Sequence, residues 1–331
     1  MASRIRSAAR LSHSHFQPDL EQGNYYKMTM QWAGVMPAIT TCFKEDLTVD
    51  HEFVARHVNW LIDNGCTGIV ALGSLGEGAT LSFAEKQQVL ATCVKALNGR
   101  APVVAGISAL STAEAVSLAK MAEETGCSGL MVLPPYVYLG DWRENKAHVA
   151  AVLQATKLSC MLYNNPIAYN VDYVPEQVQE LLAEFENLHA IKESSADVRR
   201  VMALRSLVGD RLKILVGVDD VIVESIGAGA VGWVAGLVNA FPKESVDLFY
   251  AAQKGETALV YELYRWFLPL LRMDTVPKFV QLIKLVQEEI GMGSALVRPP
   301  RLKLVGAELT EARAIVAEAL ATNPLKAVAG R

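Results

Sequence analysis

Several protein classes are excluded by what this chain has little of. Its five cysteines, Cys42, Cys66, Cys93, Cys127 and Cys160, are odd in number, scattered, and never paired as C-x-x-C. That pattern argues against a disulfide framework and against a zinc site, and reads as reduced thiols packed in apolar segments. No uninterrupted apolar run reaches the ~18 residues of a membrane span. Charge is nearly balanced, with a net value of −4. No basic stripe offers a footprint for nucleic acid, and no block of like charge forms a tail. A glycine-rich dinucleotide fingerprint is missing from the first strand-to-helix turn, after Phe43. No cofactor or metal, no nucleic acid and no membrane are therefore expected, and the expected location is cytoplasmic.

What is present is apolar and periodic. The chain has 331 residues, 51% of them hydrophobic, enough for one large core. Residues 1–31 stand apart as a leader or extended N-terminus, expected to be poorly ordered. Arg4, Arg6 and Arg10 precede the first acid, Asp19, among serines and histidines. That composition suits a mitochondrial-type leader; an upstream start codon, with Met28 or Met30 as the natural beginning, fits equally.

From Trp32 onward short apolar runs alternate with segments of 3.6-residue periodicity. Strands are expected at 33–43, 68–73, 102–108, 129–135, 159–166, 188–195, 212–219 and 232–238, each followed by a helix. The junction Ser111-Thr112-Ala113-Glu114 has the form of a capping box. Strict alternation means a parallel sheet, and eight such units predict a (β/α)8 TIM barrel over residues 32–255. A doubly wound open sheet is the competing fold. Residues 256–331 lack strands and are expected as a helical extension, with helices at 261–271, 276–290 and 310–321, joined by the stiff Arg298-Pro299-Pro300-Arg301 turn.

In such a barrel the chemistry sits at the C-terminal ends of the strands. Lys192 lies near the end of the sixth. Burying its ammonium costs several kcal/mol unless the charge is paired or lost. A lysine whose pKa is pulled toward roughly 7–8 is an amine nucleophile able to form a Schiff base. Snorkelling to the rim, or pairing with Glu193, is the other outcome. The second strand ends in Gly73-Ser74-Leu75-Gly76-Glu77-Gly78, whose exposed amides can hold a carboxylate. The remaining ends carry Pro135-Tyr136, Tyr163-Asn164-Asn165-Pro166, Asp219-Asp220 and Val234-Ala235-Gly236.

Taken together, G-S-x-G-E, P-x-Y, Y-N-x-P and I-K-E, in that order on the right strands, resemble the dihydrodipicolinate synthase and N-acetylneuraminate lyase family. The resemblance spans about Trp32 to Leu304. It implies class I aldolase chemistry on a (β/α)8 barrel. Lys192 then matches the lysine that condenses with pyruvate or another 2-oxo acid, and Tyr163 the tyrosine that shuttles protons. Ser74 matches the hydroxyl that orients that tyrosine, and the amides of Ser74 and Leu75 the carboxylate pocket. The Val234 backbone matches the carbonyl that closes the pocket. Tyr136 matches a tyrosine that reaches across a tight dimer, so a homodimer or homotetramer is implied.

Three positions depart from the family pattern. Ala168 stands where dihydrodipicolinate synthases carry an arginine that grips the second substrate's carboxylate. Leu75 replaces a second hydroxyl residue. Tyr169 and Asn170 add a phenol and an amide at the mouth, where Asp219 and Asp220 are expected either to bind substrate hydroxyls or to cap the helix that follows. The preferred reading is a lyase on a 2-oxo acid, either a pyruvate-releasing aldolase or a 3-deoxy-2-oxo sugar-acid dehydratase. The synthase of lysine biosynthesis, 4-hydroxy-tetrahydrodipicolinate synthase, is the alternative. A non-catalytic 2-oxo-acid-binding protein is a third possibility, but mere binding needs neither Lys192 nor Tyr163.

Overall fold

A computed structural model of the chain describes residues 30–136 and 138–325. Of the leader or extended N-terminus expected over residues 1–31, residues 1–29 lie outside the described residues. The elements alternate as expected, beginning β1 (Gly34–Pro37), α1 (His51–Asp63), β2 (Ile69–Ala71), α2 (Phe83–Leu97), β3 (Val103–Ile107), α3 (Thr112–Thr125), β4 (Gly129–Val132) and α4 (Trp142–Gln154). There follow β5 (Ser159–Asn164), a one-turn α5 (Pro166–Tyr169), α6 (Pro175–Glu184), β6 (Leu188–Glu193), α7 (Arg199–Val208), β7 (Lys213–Val216), α8 (Ile222–Gly227), β8 (Gly232–Ala235) and α9 (Pro242–Lys254). The extension supplies α10 (Thr257–Leu271), α11 (Phe279–Glu289) and α12 (Gly306–Thr322).

The sheet order is β1-β8-β7-β6-β5-β4-β3-β2, all pairs parallel. A parallel bridge between Ala38 and Val70 brings the two ends together, closing a (β/α)8 barrel. The open sheet is thereby excluded. Its strands are buried on both faces, which is why they read as continuous apolar runs rather than alternating ones.

Most strands stop earlier than their apolar runs. β1 was expected to reach Phe43 but ends at Pro37; Ala38 and Ile39 still donate to the Ala235 and Val70 carbonyls, and beyond them the polar groups find other partners. Thr40 Oγ1 donates to Gln287 Oε1 at 2.7 Å, and Thr41 Oγ1 to the Gly76 carbonyl at 2.7 Å. At α3, Ser111 accepts from the Glu114 amide as expected, but the Glu114 carboxylate stands 3.7 Å from Lys86 instead of reaching back. Complete capping boxes form at Ser82/Glu85 and Asp141/Glu144.

The extension packs on the barrel at its C-terminal rim. Lys284 of α11 donates to the Thr41 carbonyl and to Glu77 Oε1, both at 2.8 Å. The Arg298 amide donates to the other Glu77 oxygen at 3.0 Å. Residues far along the chain are thus held beside the strand ends, where a site of this fold lies.

Candidate active site

The alternation of side chains along each strand decides what faces the barrel interior. Tyr163 pairs in register with Lys192, and Lys192 with Leu215. Leu215 in turn pairs with Gly232. Tyr163, Lys192 and Gly217 therefore continue the inward-facing rows of β5, β6 and β7, and Gly236 follows the end of β8 at the rim.

Lys192 is 6% exposed, and its amine lies over the Tyr163 ring, 4.3 Å from the centroid. It neither snorkels nor pairs with Glu193. The strand alternation turns Glu193 to the opposite face, where its carboxylate accepts from the Ser195 amide at 2.7 Å and Asn164 Nδ2 at 3.1 Å. Burial raises the Glu193 pKa despite those donors. Room for the lysine comes from Gly217: a β-carbon there would fall 2.2 Å from Lys192 Cε and 2.1 Å from Ser194 Oγ.

After β2 the chain turns through Leu72 and Glu77, both non-glycine residues with positive φ, 65° and 53°. Each such residue costs of order 1–3 kcal/mol and persists only where the surroundings enforce it. The Glu77–Lys284 pair is one such restraint. The close approach of β3 is another, since a β-carbon on Gly106 would meet the Gly73 amide at 3.0 Å. Among the described residues, the amides of Ser74 and Leu75 donate to no protein acceptor. A pair of amides beside a buried amine suits a carboxylate.

The hydroxyl network differs from the expected one. Ser74 was expected to orient Tyr163, but its Oγ hydrogen-bonds the Tyr169 hydroxyl. Tyr163 instead accepts from Asn165 Nδ2 at 3.0 Å. The physical reason is the single turn α5: Asn165 caps it by accepting from the Ala168 amide at 3.0 Å, and the turn swings the Tyr169 ring edge-on to Tyr163 at 5.7 Å. Burial raises the Tyr169 pKa strongly. Tyr136 packs against Tyr169 at 5.9 Å and accepts from Ser108 Oγ at 3.2 Å. Ala168 is exposed and offers only its amide, already bound to Asn165.

The two aspartates need correction. Asp219 neither caps α8 nor faces the mouth. It is fully buried, accepting from Trp233 Nε1 at 3.0 Å, the Gly236 amide at 3.2 Å and the Leu237 amide at 2.9 Å. Burial pushes its pKa up to about 6 even so. Its carboxylate fixes the turn after Val234, which is itself 1% exposed. Asp220 stands 3.7 Å from Arg272, and its carbonyl accepts from Tyr264. Neither was legible as such, because Trp233 and Arg272 carry no signal of proximity in sequence. Glu77, Lys284 and Asp274 were missed for the same reason. Among the described residues, no group of three or more His, Cys, Asp or Glu is placed to hold a metal ion. No helix there is long and apolar enough to cross a membrane.

Known proteins fit this geometry. The sequence profile of the Dihydrodipicolinate synthetase family matches residues 31–319. A 4-hydroxy-tetrahydrodipicolinate synthase of Psychrobacter sp. is 33% identical over 280 residues, 85% of this chain and 92% of that protein. Its counterpart in Mesorhizobium japonicum is 32% identical over 267 residues, 81% of this chain and 91% of that protein. The crystal structure of dihydrodipicolinate synthase from Aquifex aeolicus superposes with a TM-score of 0.83 at 28% identity, covering 87% and 98% of the two chains. A monomeric dihydrodipicolinate synthase variant superposes with a TM-score of 0.81 at 25% identity, covering 87% and 96%. Barrel and relatives together define a class I lyase, an enzyme that works through a lysine Schiff base. The chain belongs to the dihydrodipicolinate synthetase family.

Proposed function

We propose that Lys192 forms the Schiff base, with a 2-oxo acid, and that the enzyme is either a pyruvate-releasing aldolase or a 3-deoxy-2-oxo sugar-acid dehydratase. The observation that carries this reading is the Lys192 amine, buried over the Tyr163 face inside the barrel. The amides of Ser74 and Leu75 would take the 2-oxo acid's carboxylate, with the Val234 strand end closing the pocket. The keto carbon would then meet the amine, and loss of water gives an iminium that serves as an electron sink. Tyr163, which accepts from Asn165 Nδ2, would move the proton at the adjacent carbon.

Beyond the pyruvate unit, Ala168 argues against a second substrate gripped by its carboxylate. A charge-assisted hydrogen bond to a carboxylate contributes roughly 1.5–3 kcal/mol, or about ten- to a hundredfold in rate. The second reading, 4-hydroxy-tetrahydrodipicolinate synthase, is favoured by the names of the relatives at 32% and 33% identity. Arg301, close enough to pull the Tyr169 pKa back down, would then have to replace the missing arginine.

The first test is chemical. Incubation with pyruvate and borohydride should add one reduced pyruvate to the intact mass, and Lys192→Ala should abolish the adduct. An undiminished adduct in that variant would remove Lys192 from the mechanism. The second test compares kcat/KM for aspartate semialdehyde with that for 3-deoxy-2-oxo sugar acids. Equal or better turnover of the semialdehyde decides for the synthase.

A further inference from the structure

The 3-10 turn Arg272–Asp274, which follows α10, delivers one residue into the rim that the strand pattern did not anticipate. A β-carbon on Gly236 would fall 2.1 Å from Asp274 Oδ1 and 2.5 Å from its Cγ. The carboxyl of Asp274 thus fills the space that a side chain on β8 would occupy, just as Lys192 fills the space above Gly217. Its Oδ1 is buried and has no hydrogen-bond partner among the described residues. Leaving such an atom unpaired costs about 1–3 kcal/mol, so a retained one needs a reason.

The placement supplies one. Lys192 leans across β7, and its amine is near enough to the carboxyl over Gly236 to act on it electrostatically. The C4 atom of a 2-oxo acid held as an imine lies two bonds beyond the imine carbon. Tyr163 flanks the imine from β5 and Asp274 from the β8 side. The groups that act electrostatically on Asp274 are Asp219, Asp220 and Lys192. Burial and the two neighbouring aspartates raise its pKa well above the ordinary carboxyl range, against the pull of Lys192, and that rise favours its proton-bearing form.

We infer that Asp274 is the general acid for a β-elimination, protonating the departing 4-hydroxyl of a 3-deoxy-2-oxo acid bound to Lys192. This inference rests on the imine reading above and selects dehydration over aldol cleavage. Tyr163 gives its proton to the water lost as the iminium forms, and the resulting phenolate takes a proton from C3, whose C–H electrons form the enamine. The enamine electrons return to form the C3–C4 double bond as the C4–O bond breaks. The oxygen leaves as water with the Asp274 proton. Hydrolysis of the conjugated iminium frees Lys192 and a 2-oxo-3-enoic acid, and the proton released from the attacking water restores the Asp274 carboxyl. The net change is loss of one water, with no oxidant or reductant. Aldol cleavage would instead need a base at the 4-hydroxyl, a role disfavoured for a carboxyl biased toward its proton-bearing form.

The test uses the full-length enzyme with 2-oxo-3-deoxygluconic acid as probe. Unsaturated acid is assayed by its absorbance and pyruvate by a coupled dehydrogenase, and imine formation is followed by borohydride trapping of pyruvate. Wild type should yield the unsaturated acid. Asp274→Asn should eliminate water about a hundredfold more slowly relative to the imine it traps, and lose the alkaline limb of the kcat profile. Gly236→Ala, which displaces the carboxyl without removing it, should likewise lower elimination relative to the imine trapped, and it serves if Asp274→Asn does not fold. Elimination in either variant within threefold of wild type overturns the inference, as does a wild type that releases only pyruvate or forms neither product. A wild type that traps no pyruvate overturns the imine reading as well.

Discussion

Lys192 shows at the residue scale how an absent atom makes a site. Gly217 has no positive φ, and its use lies in the missing β-carbon, which would overlap Lys192 Cε at 2.2 Å. Adding a methyl group in a packed interior costs typically 1–3 kcal/mol. Gly217→Ala is expected to lower the melting temperature modestly and to cut borohydride trapping of pyruvate at least tenfold, because the lysine must leave its place over Tyr163. Trapping at the wild-type rate would mean that the lysine reaches the keto acid by another path. His57 gives a residue-scale prediction in stability. It is fully buried against the Asn239 carbonyl at 3.0 Å, and burial lowers its pKa to about 4 from 6.5. Between those pH values the unfolded chain binds the proton and the native state does not. Stability therefore falls as pH drops through that window, by on the order of 3 kcal/mol. Thermal melts of wild type and His57→Gln at pH 7 and pH 4.5 check this, with the larger acid loss expected in wild type.

The loop after β2 depends, at the element scale, on an ion pair between distant elements. Glu77 and Lys284 are 0% and 1% exposed and 2.8 Å apart. Burial lowers the Lys284 pKa, and Glu77 opposes that shift. Removing one partner of a buried pair leaves the other uncompensated, at a cost of about 3–5 kcal/mol, whereas removing both can be nearly neutral. Urea unfolding should rank Glu77→Gln well below wild type, and Glu77→Leu combined with Lys284→Met above the single variant. Similar losses in single and double variants would mean that the loop is held by its own turns. The short α5 is the other decisive element. It hands Ser74 to Tyr169 and Tyr163 to Asn165, a division that reading strand ends alone did not reveal.

Solvent meets an apolar rim at the scale of the whole molecule. Leu110, Tyr138, Leu139 and Ile167 are 64%, 59%, 71% and 67% exposed, on the loops after β3 and β4 and on α5. Tyr136, the residue that the family pattern sends across a dimer, lies on one of these loops. Large exposed apolar side chains grouped this way suit an interface between copies of the chain. Sedimentation at micromolar concentration should give a dimer or tetramer, and Leu139→Asp should shift it toward the 36.0 kDa monomer. A wild type that sediments only as monomer would place the enzyme with the monomeric variant among its relatives.

The strand-helix period fixed the barrel, because both faces of a parallel strand are buried and each unit needs only its neighbours to be recognised. The strand-end rule then placed Lys192, Tyr163 and Ser74, since register follows from the count of alternating side chains along each strand. Strand limits were overestimated, because apolar runs such as 33–43 continue past the last neighbour able to pair with them. Tertiary structure alone decided Asp219's inward turn onto Trp233, the Glu77–Lys284 pair across 207 positions, and the arrival of Asp274 over Gly236. These depend on how a helical extension packs against the rim. The chain has no local period that encodes which distant carboxyl will fill the space a glycine leaves open.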